Sequence, residues 1–141
     1  MKAAIIVVLM LILAGTILAQ GTAKTETADA SIDAFWEKFR TAVIKRDKAA
    51  VANLSQFPIS MPYGVPNVKN NPQLIRRYRS IFFFDHNAPE CFTRARPEIN
   101  PEKPKEFTVA CKNAAGEEVI IYLFTLTKKG WRFTGLDNIN E

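Results

Sequence analysis

The chain opens with an apolar block: AAIIVVLMLILA from Ala3 to Ala14, behind Lys2 and ahead of Gly15, Thr16, Ile17, Leu18, Ala19 and the polar Gln20-Gly21. A charged start, an apolar middle and small residues at the end have the order of a secretory signal, so residues 1–19 read as a signal peptide cleaved after Ala19. Ile17 fits the minus-three position poorly, which leaves an uncleaved membrane anchor as the alternative. Residues 20–30 are small and polar and predict a flexible linker. From Ser31 the period becomes helical: Ile32, Phe35, Trp36, Phe39 and Val43 share one face, with Ser31 as N-cap and Asp33 and Glu37 in the early turns. This helix is expected to reach about Lys45. Asp47 then caps a short second helix through Leu54. Residues 57–61 read as a short edge strand, because Pro58 cannot donate to a ladder. Pro62, Gly64 and Pro66 mark a loop, and Asn71-Pro72 starts a third helix, QLIRRYRSIFFF. There Ile75, Tyr78 and Phe82 line one side with Leu74 and Ile81 beside them, and Arg76, Arg77 and Arg79 take the rest.

The second half of the chain alternates as strands do. Extended segments are expected at about 90–96 and 105–113, joined through Pro97, Pro101 and Pro104. A hairpin centred on Pro101 would set Cys91 opposite Cys111, Thr93 opposite Val109 and Ala95 opposite Phe107 on one face. Arg94, Arg96, Thr108 and Lys112 would point the other way. Cys91 and Cys111 are the only cysteines, and in an exported chain that pair predicts a cross-strand disulfide, with two buried thiols as the alternative. After an Ala115-Gly116 turn, residues 119–127 (VIIYLFTLT) are apolar on both faces, the mark of a central strand covered on both sides. Lys128-Lys129-Gly130, with Gly130 at positive φ, leads into a last strand, WRFTGLDNI. Helices followed by a mostly antiparallel sheet define an α+β class, with residues 31–141 as one domain.

Composition narrows the function more than it identifies it. With 141 residues, 48% hydrophobic and 23% charged, the chain has globular composition and room for one core, not for a two-domain dinucleotide enzyme or an eight-fold barrel. The formal net charge is +5, one unit of which leaves with Lys2. The remainder suits weak attraction to anionic envelope components and falls short of a nucleic-acid-binding stripe. A single histidine excludes a His-rich metal site, and no motif calls for a cofactor. Asn53-Leu54-Ser55 matches a glycosylation sequon but sits at a helix end among apolar residues.

The order of elements, with F-W-x-x-F-R-x-A (Phe35 to Ala42), the Asp47-capped helix followed by Phe57-Pro58, R-Y-x-x-I-F (Arg77 to Phe82) and G-W-R-F-T-G-L-D (Gly130 to Asp137), resembles small secreted members of the NTF2-like, cystatin-like α+β superfamily. The resemblance covers nearly all of the chain after the signal. It implies a cone in which three N-terminal helices pack on a curved, mostly antiparallel sheet, with a pocket between them and often a homodimer through the sheet. Members serve as ligand-binding, protein-interaction or enzymatic domains, and fold alone does not choose among these.

Candidate chemistry is sparse. Tyr122, Asp137 and His86 are the catalytic candidates, in the role of a pocket acid or base. For Asp85-His86, in the loop after the third helix, a solvated pair is the expected state, and for Asp137 a turn or salt-bridge role. The aromatics Trp36, Phe39, Tyr63, Tyr78, Phe82, Tyr122, Phe124, Trp131 and Phe133 either fill a dry core or line an apolar pocket. Arg76 and Arg79, with Arg94 and Arg96 (and Arg77 beside them), either form a solvated basic face or gather as an anion site. The expectation is therefore an exported, non-enzymatic domain binding a small apolar or anionic ligand, or an envelope protein. A small isomerase, dehydratase or hydrolase and a dimerisation module are the alternatives. Two of Tyr122, Asp137 and His86 within hydrogen-bond distance in a concave pocket would favour the enzyme.

Overall fold

A computed structural model describes residues 23–84, 86–117 and 119–139. The expected signal segment 1–19, its cleavage site, residues 20–22 and Asp85 lie outside the described residues. The elements are α1 (Ala23–Ile44), α2 (Lys48–Asn53), β1 (Ser55–Ser60), α3 (Asn71–Phe82), α4 (Ala88–Phe92), β2 (Glu98–Ile99), β3 (Glu106–Lys112), β4 (Val119–Thr127) and β5 (Gly130–Asn138). The protein is α+β, with one five-stranded sheet in the order β1-β5-β4-β3-β2, antiparallel throughout except where β1 runs parallel to β5.

Helix α1 begins at Ala23, so residues 23–30 are helical where a linker was expected, and Ser31 lies inside the helix instead of capping it. Its hydroxyl has another partner: Trp131 Nε1 donates to Ser31 Oγ at 3.1 Å, tying the helix to the last strand. The predicted apolar stripe is the buried one, Ile32, Phe35, Trp36, Phe39, Ala42 and Val43. Asp47 caps α2 as expected, accepting from the Ala50 amide at 3.0 Å. In α3 the cap is Asn70, one residue before the expected position, and it accepts from Gln73 N at 3.1 Å. The buried face of α3 is Leu74, Tyr78, Ile81 and Phe82, while Ile75 is 39% exposed instead of lining that face.

The extended segment expected at 90–96 does not form; residues 88–92 are helix α4. Asn87 caps it, and Pro89 occupies its first turn, where a missing amide costs nothing and a fixed φ favours helix. The strand pairing with β3 is reduced to Glu98 opposite Thr108 and Ile99 opposite Phe107. The Pro101-centred register with Cys91 facing Cys111 is therefore wrong. The disulfide between Cys91 and Cys111 nevertheless exists, with Cα atoms 5.9 Å apart, and joins α4 to β3 instead of two strands.

Strand β4 is central, as expected, but only one face is fully covered: Ile120, Tyr122 and Phe124 are buried, and Val119, Ile121 and Leu123 are half-buried on the other side. Gly130 has φ 88° in the β4–β5 turn, where glycine adopts the left-handed region without penalty. Strand β5 contains a bulge. Leu123 pairs with Gly135 and Phe124 with Phe133, leaving Thr134 as the extra residue. An extra residue reverses the side-chain alternation beyond it. Trp131 and Phe133 face the helices before the bulge, and Leu136 does so after it, while Asp137 is exposed. Thr134 Oγ1 donates to the Leu123 carbonyl at 3.3 Å beside the disrupted ladder.

The interior is filled with rings. Phe39, fully buried, packs against Phe35, Trp36, Phe82, Phe92, Phe124 and Phe133, with its closest centroids at 5.0 Å to Phe124 and 5.3 Å to Phe133. Of the two readings of the aromatics, the dry core is the one the structure takes. Phe92, carried in by α4, completes it at 4.8 Å from Trp36 and 4.9 Å from Tyr122.

Candidate functional site

With the centre filled, a mainly apolar cleft remains at the edge of the helix layer, between α3, the β1–α3 loop and the end of β5. Met61, Pro62, Val65, Phe84, Ile120 and Leu136 make apolar walls for a cleft of about 280 Å³, with Arg77, Ser80, His86 and Asn138 as its polar members. The loop that forms one wall is pinned at both ends. Ile59 and Val68 exchange backbone hydrogen bonds of 2.8 and 3.0 Å, and Met61 N donates to Asn67 Oδ1 at 3.1 Å. Arg77 Nη1 donates to the Pro66 carbonyl at 2.6 Å, fastening α3 to the same loop. The β5 bulge supplies the opposite wall, because the reversed phase turns Leu136 inward and puts Asn138 on the cleft.

Of the catalytic candidates, two come together and one does not. His86, expected in solvent, is only 6% exposed, and its Nε2 is hydrogen-bonded to Tyr122 Oη across the top of the core. Tyr122 Oη also contacts the Ile81 carbonyl at 3.2 Å. A carbonyl only accepts, and the phenol has one proton. Both contacts are therefore satisfied when Tyr122 donates to Ile81 and His86 donates from Nε2 to Tyr122. Complete burial raises the Tyr122 phenol well above its usual pKa, with a smaller contribution from Tyr78, so it is a neutral hydroxyl at any ordinary pH. Nδ1 of His86 is buried as well. The imidazole lines the cleft, yet neither nitrogen is open to it. Asp137 is excluded from the site: it is exposed and accepts from the Asn138 amide at 2.8 Å.

Trp36, Phe39, Phe82, Tyr122, Phe124, Trp131 and Phe133 are buried core residues that do not gather around an apolar pocket, Tyr78 is buried with its ring at the floor of a surface cleft beside Arg46, Lys48 and Arg79, and Tyr63 is 95% exposed on the loop. The arginines do not gather into one site. Arg76 shares a surface cleft with Lys69 and Arg77, Arg79 shares another with Arg46 and Lys48, and Arg94 lies beside Lys112 in a third, pairing with Glu90 at 3.7 Å. Arg96 is exposed. The cleft residues that sequence reasoning missed are Met61, Val65, Phe84, Leu136 and Asn138. The signal for Met61 and Val65 was a run of apolar residues in a Pro-rich loop, and Phe84, Leu136 and Asn138 carried none. Among the described residues no group of three or more His, Cys, Asp and Glu is placed to hold a metal, and no helix is long and apolar enough to cross a membrane.

No protein-family model matches the chain, and no curated protein sequence matches it. Solved structures similar to it include an NTF2-like protein with a cystatin-like fold from Novosphingobium aromaticivorans, at 12% identity over 82% of each chain with a TM-score of 0.47. A protein with a cystatin-like fold from Caulobacter vibrioides is similar at 14% identity over 79% of this chain and 88% of that one, TM-score 0.48. A hexachlorocyclohexane dehydrochlorinase is similar at 12% identity over 81% and 85%, TM-score 0.46. The likeness is one of element arrangement, and at these identities it carries no chemistry across.

Proposed function

We propose that this chain is an exported, non-enzymatic domain that binds a small, largely apolar ligand in the cleft between Met61, Phe84, Ile120 and Leu136. The carrying observation is the contrast within that cleft: its walls are apolar, while His86 Nε2 and the Tyr122 hydroxyl are engaged with each other, the hydroxyl also with the Ile81 carbonyl, and His86 Nδ1 is buried away from the opening. A proton donor or acceptor must reach the reacting atom. Apolar surface makes up the rest of the cleft, with Arg77, Ser80 and Asn138 at its polar positions. The volume, about 280 Å³, lies just below the usual span of ligand clefts, about 300 to 1,000 Å³, and suits a small ligand. Export is supported by the order of residues 1–19 and by a disulfide that a reducing compartment would not maintain.

Fluorescence titration of the exported protein with anilinonaphthalene sulfonate, an apolar anion, tests the binding site. Saturable enhancement is expected in the native protein and loss of it in Ser80→Trp, whose indole would occupy the cleft from an exposed position. Equal enhancement in both proteins would refute the assignment. The mass of the exported product tests cleavage after Ala19, and an uncleaved chain would overturn that part.

The His86–Tyr122 hydrogen bond favours a second reading, a small acid–base enzyme in which ligand entry draws the imidazole into the cleft. A compound converted by the native protein but only bound by His86→Gln would establish it in place of the first.

A further inference from the structure

A second site stands on the opposite side of α3. Arg46, Lys48 and Arg79 surround a cleft of about 520 Å³ floored by Tyr78 and Phe83. The Arg46 guanidinium lies over the Phe83 ring at 4.9 Å, and Lys48 Nζ over Tyr78 at 5.7 Å. Among the described residues none of the three cations makes an ion pair. The nearby carboxylate, Asp47, accepts the Ala50 amide as the α2 cap.

The backbone provides an independent observation. Arg46 has φ 57°, the left-handed region, and is the only residue other than glycine at positive φ among the described residues. Arg46 N donates to the Val43 carbonyl and Asp47 N to the Ala42 carbonyl, the pair of hydrogen bonds that closes a helix C-terminus. Glycine is the usual residue at that position because a side chain is strained there. Keeping an arginine incurs a local penalty, and such penalties concentrate at functional sites. The α3 C-terminal dipole accounts for a cation at Arg79, but it accounts for neither the conformation of Arg46 nor the stacking of Lys48.

We propose that Arg46, Lys48 and Arg79 form a binding site for a phosphate monoester. Three cations exceed what one carboxylate neutralises and suit a group carrying close to two negative charges. The rings hold the Arg46 guanidinium and the Lys48 ammonium in place before the anion arrives, reducing the ordering cost of binding. The phosphate comes either from a free organic monoester or from a lipid headgroup at a membrane surface.

Phenyl phosphate serves as the free probe, followed by amide chemical shifts in low salt. Vesicles of phosphatidylcholine, with and without phosphatidic acid, serve as the lipid probe in co-sedimentation. Saturable shifts confined to residues 43–48 and 79–83 support the free source. Sedimentation that requires phosphatidic acid supports the lipid source. Arg79→Gln and Lys48→Gln should each weaken binding about tenfold, as loss of a charge-assisted contact does. Arg46→Gly should weaken it similarly while the melting temperature holds or rises, which separates lost binding from lost folding. Arg96→Gln, away from the cleft, should bind normally. Absence of saturable response to either probe, acetate binding as well as phenyl phosphate, or undiminished binding by Arg46→Gly would overturn the proposal.

Discussion

At the residue scale, the buried polar contact of the core top is the most sensitive point. Tyr122→Phe removes the hydroxyl that accepts from His86 and donates to Ile81, leaving both without that partner in a dry environment. A buried group left unsatisfied costs about 1–3 kcal/mol, so urea denaturation should show a loss of that size. Gly135 is the other point. A Cβ there would lie 3.0 Å from Leu123 Cδ1 and 3.3 Å from Ser60 Cβ, where β1 presses against β5. Gly135→Ala should destabilise by about 1–3 kcal/mol through overpacking, read as a lower urea midpoint with an unchanged slope. Neither residue declares this role in the sequence. A tyrosine in a strand reads as any core aromatic, and the glycine needs its neighbours on two other strands before its absent side chain means anything.

At the scale of elements, local grammar was legible wherever a cap and a period agree. Asp47 and the Asn70-Asn71-Pro72-Gln73 run announce α2 and α3, and the strands around Gly130 alternate as the burial does. Asn87-Ala88-Pro89-Glu90 repeats the same grammar: Glu90 N donates to Asn87 Oδ1 at 3.4 Å as Gln73 N does to Asn70 Oδ1 at 3.1 Å. The extended segment expected from about residue 90 rests on the prolines that follow it and on the alternation around the cysteines, which the Asn87 cap overrides. A helix and a strand can bring two cysteines within bridging distance as well as two strands can. Asn87→Ala should cost about 1 kcal/mol, as loss of a helix cap does, and should leave the disulfide intact in a thiol assay. The bulge at Thr134 was not legible at all. It depends on which residue of β4 each residue of β5 meets, and it alone decides that Leu136, not Asp137, faces inward.

At the scale of the whole molecule, the filled aromatic core sets the stability. Phe39→Ala removes the ring that six others touch and should cost about 3–5 kcal/mol, measured by calorimetry. Reducing the disulfide frees a loop with a sequence separation of 20 and should cost about 3 kcal/mol. Alkaline pH acts through the buried phenols. Burial pushes Tyr78 up to about 12, the Arg46 charge opposing and the Asp47 charge adding to it, and burial likewise raises Tyr122 well above its usual value. Their folded-state values lie above the unfolded value of about 10. The native state therefore holds these protons more tightly, and this stabilisation is complete below about pH 10 and lost as pH rises through about 12 for Tyr78. The urea midpoint should fall across that window, and Tyr78→Phe should flatten the fall.

Period, caps and composition were enough for the α+β class, the central place of residues 119–127, the expected pairing of Cys91 with Cys111 and most of the core. These act within a few residues or across the whole chain. Only the tertiary structure decided where empty space remains and which groups border it. That turned His86 from a solvent residue into a buried partner of Tyr122, moved Asp137 out of the site, and divided the arginines among separate clefts. These outcomes depend on contacts between residues dozens of positions apart, whose register a single extra residue such as Thr134 resets.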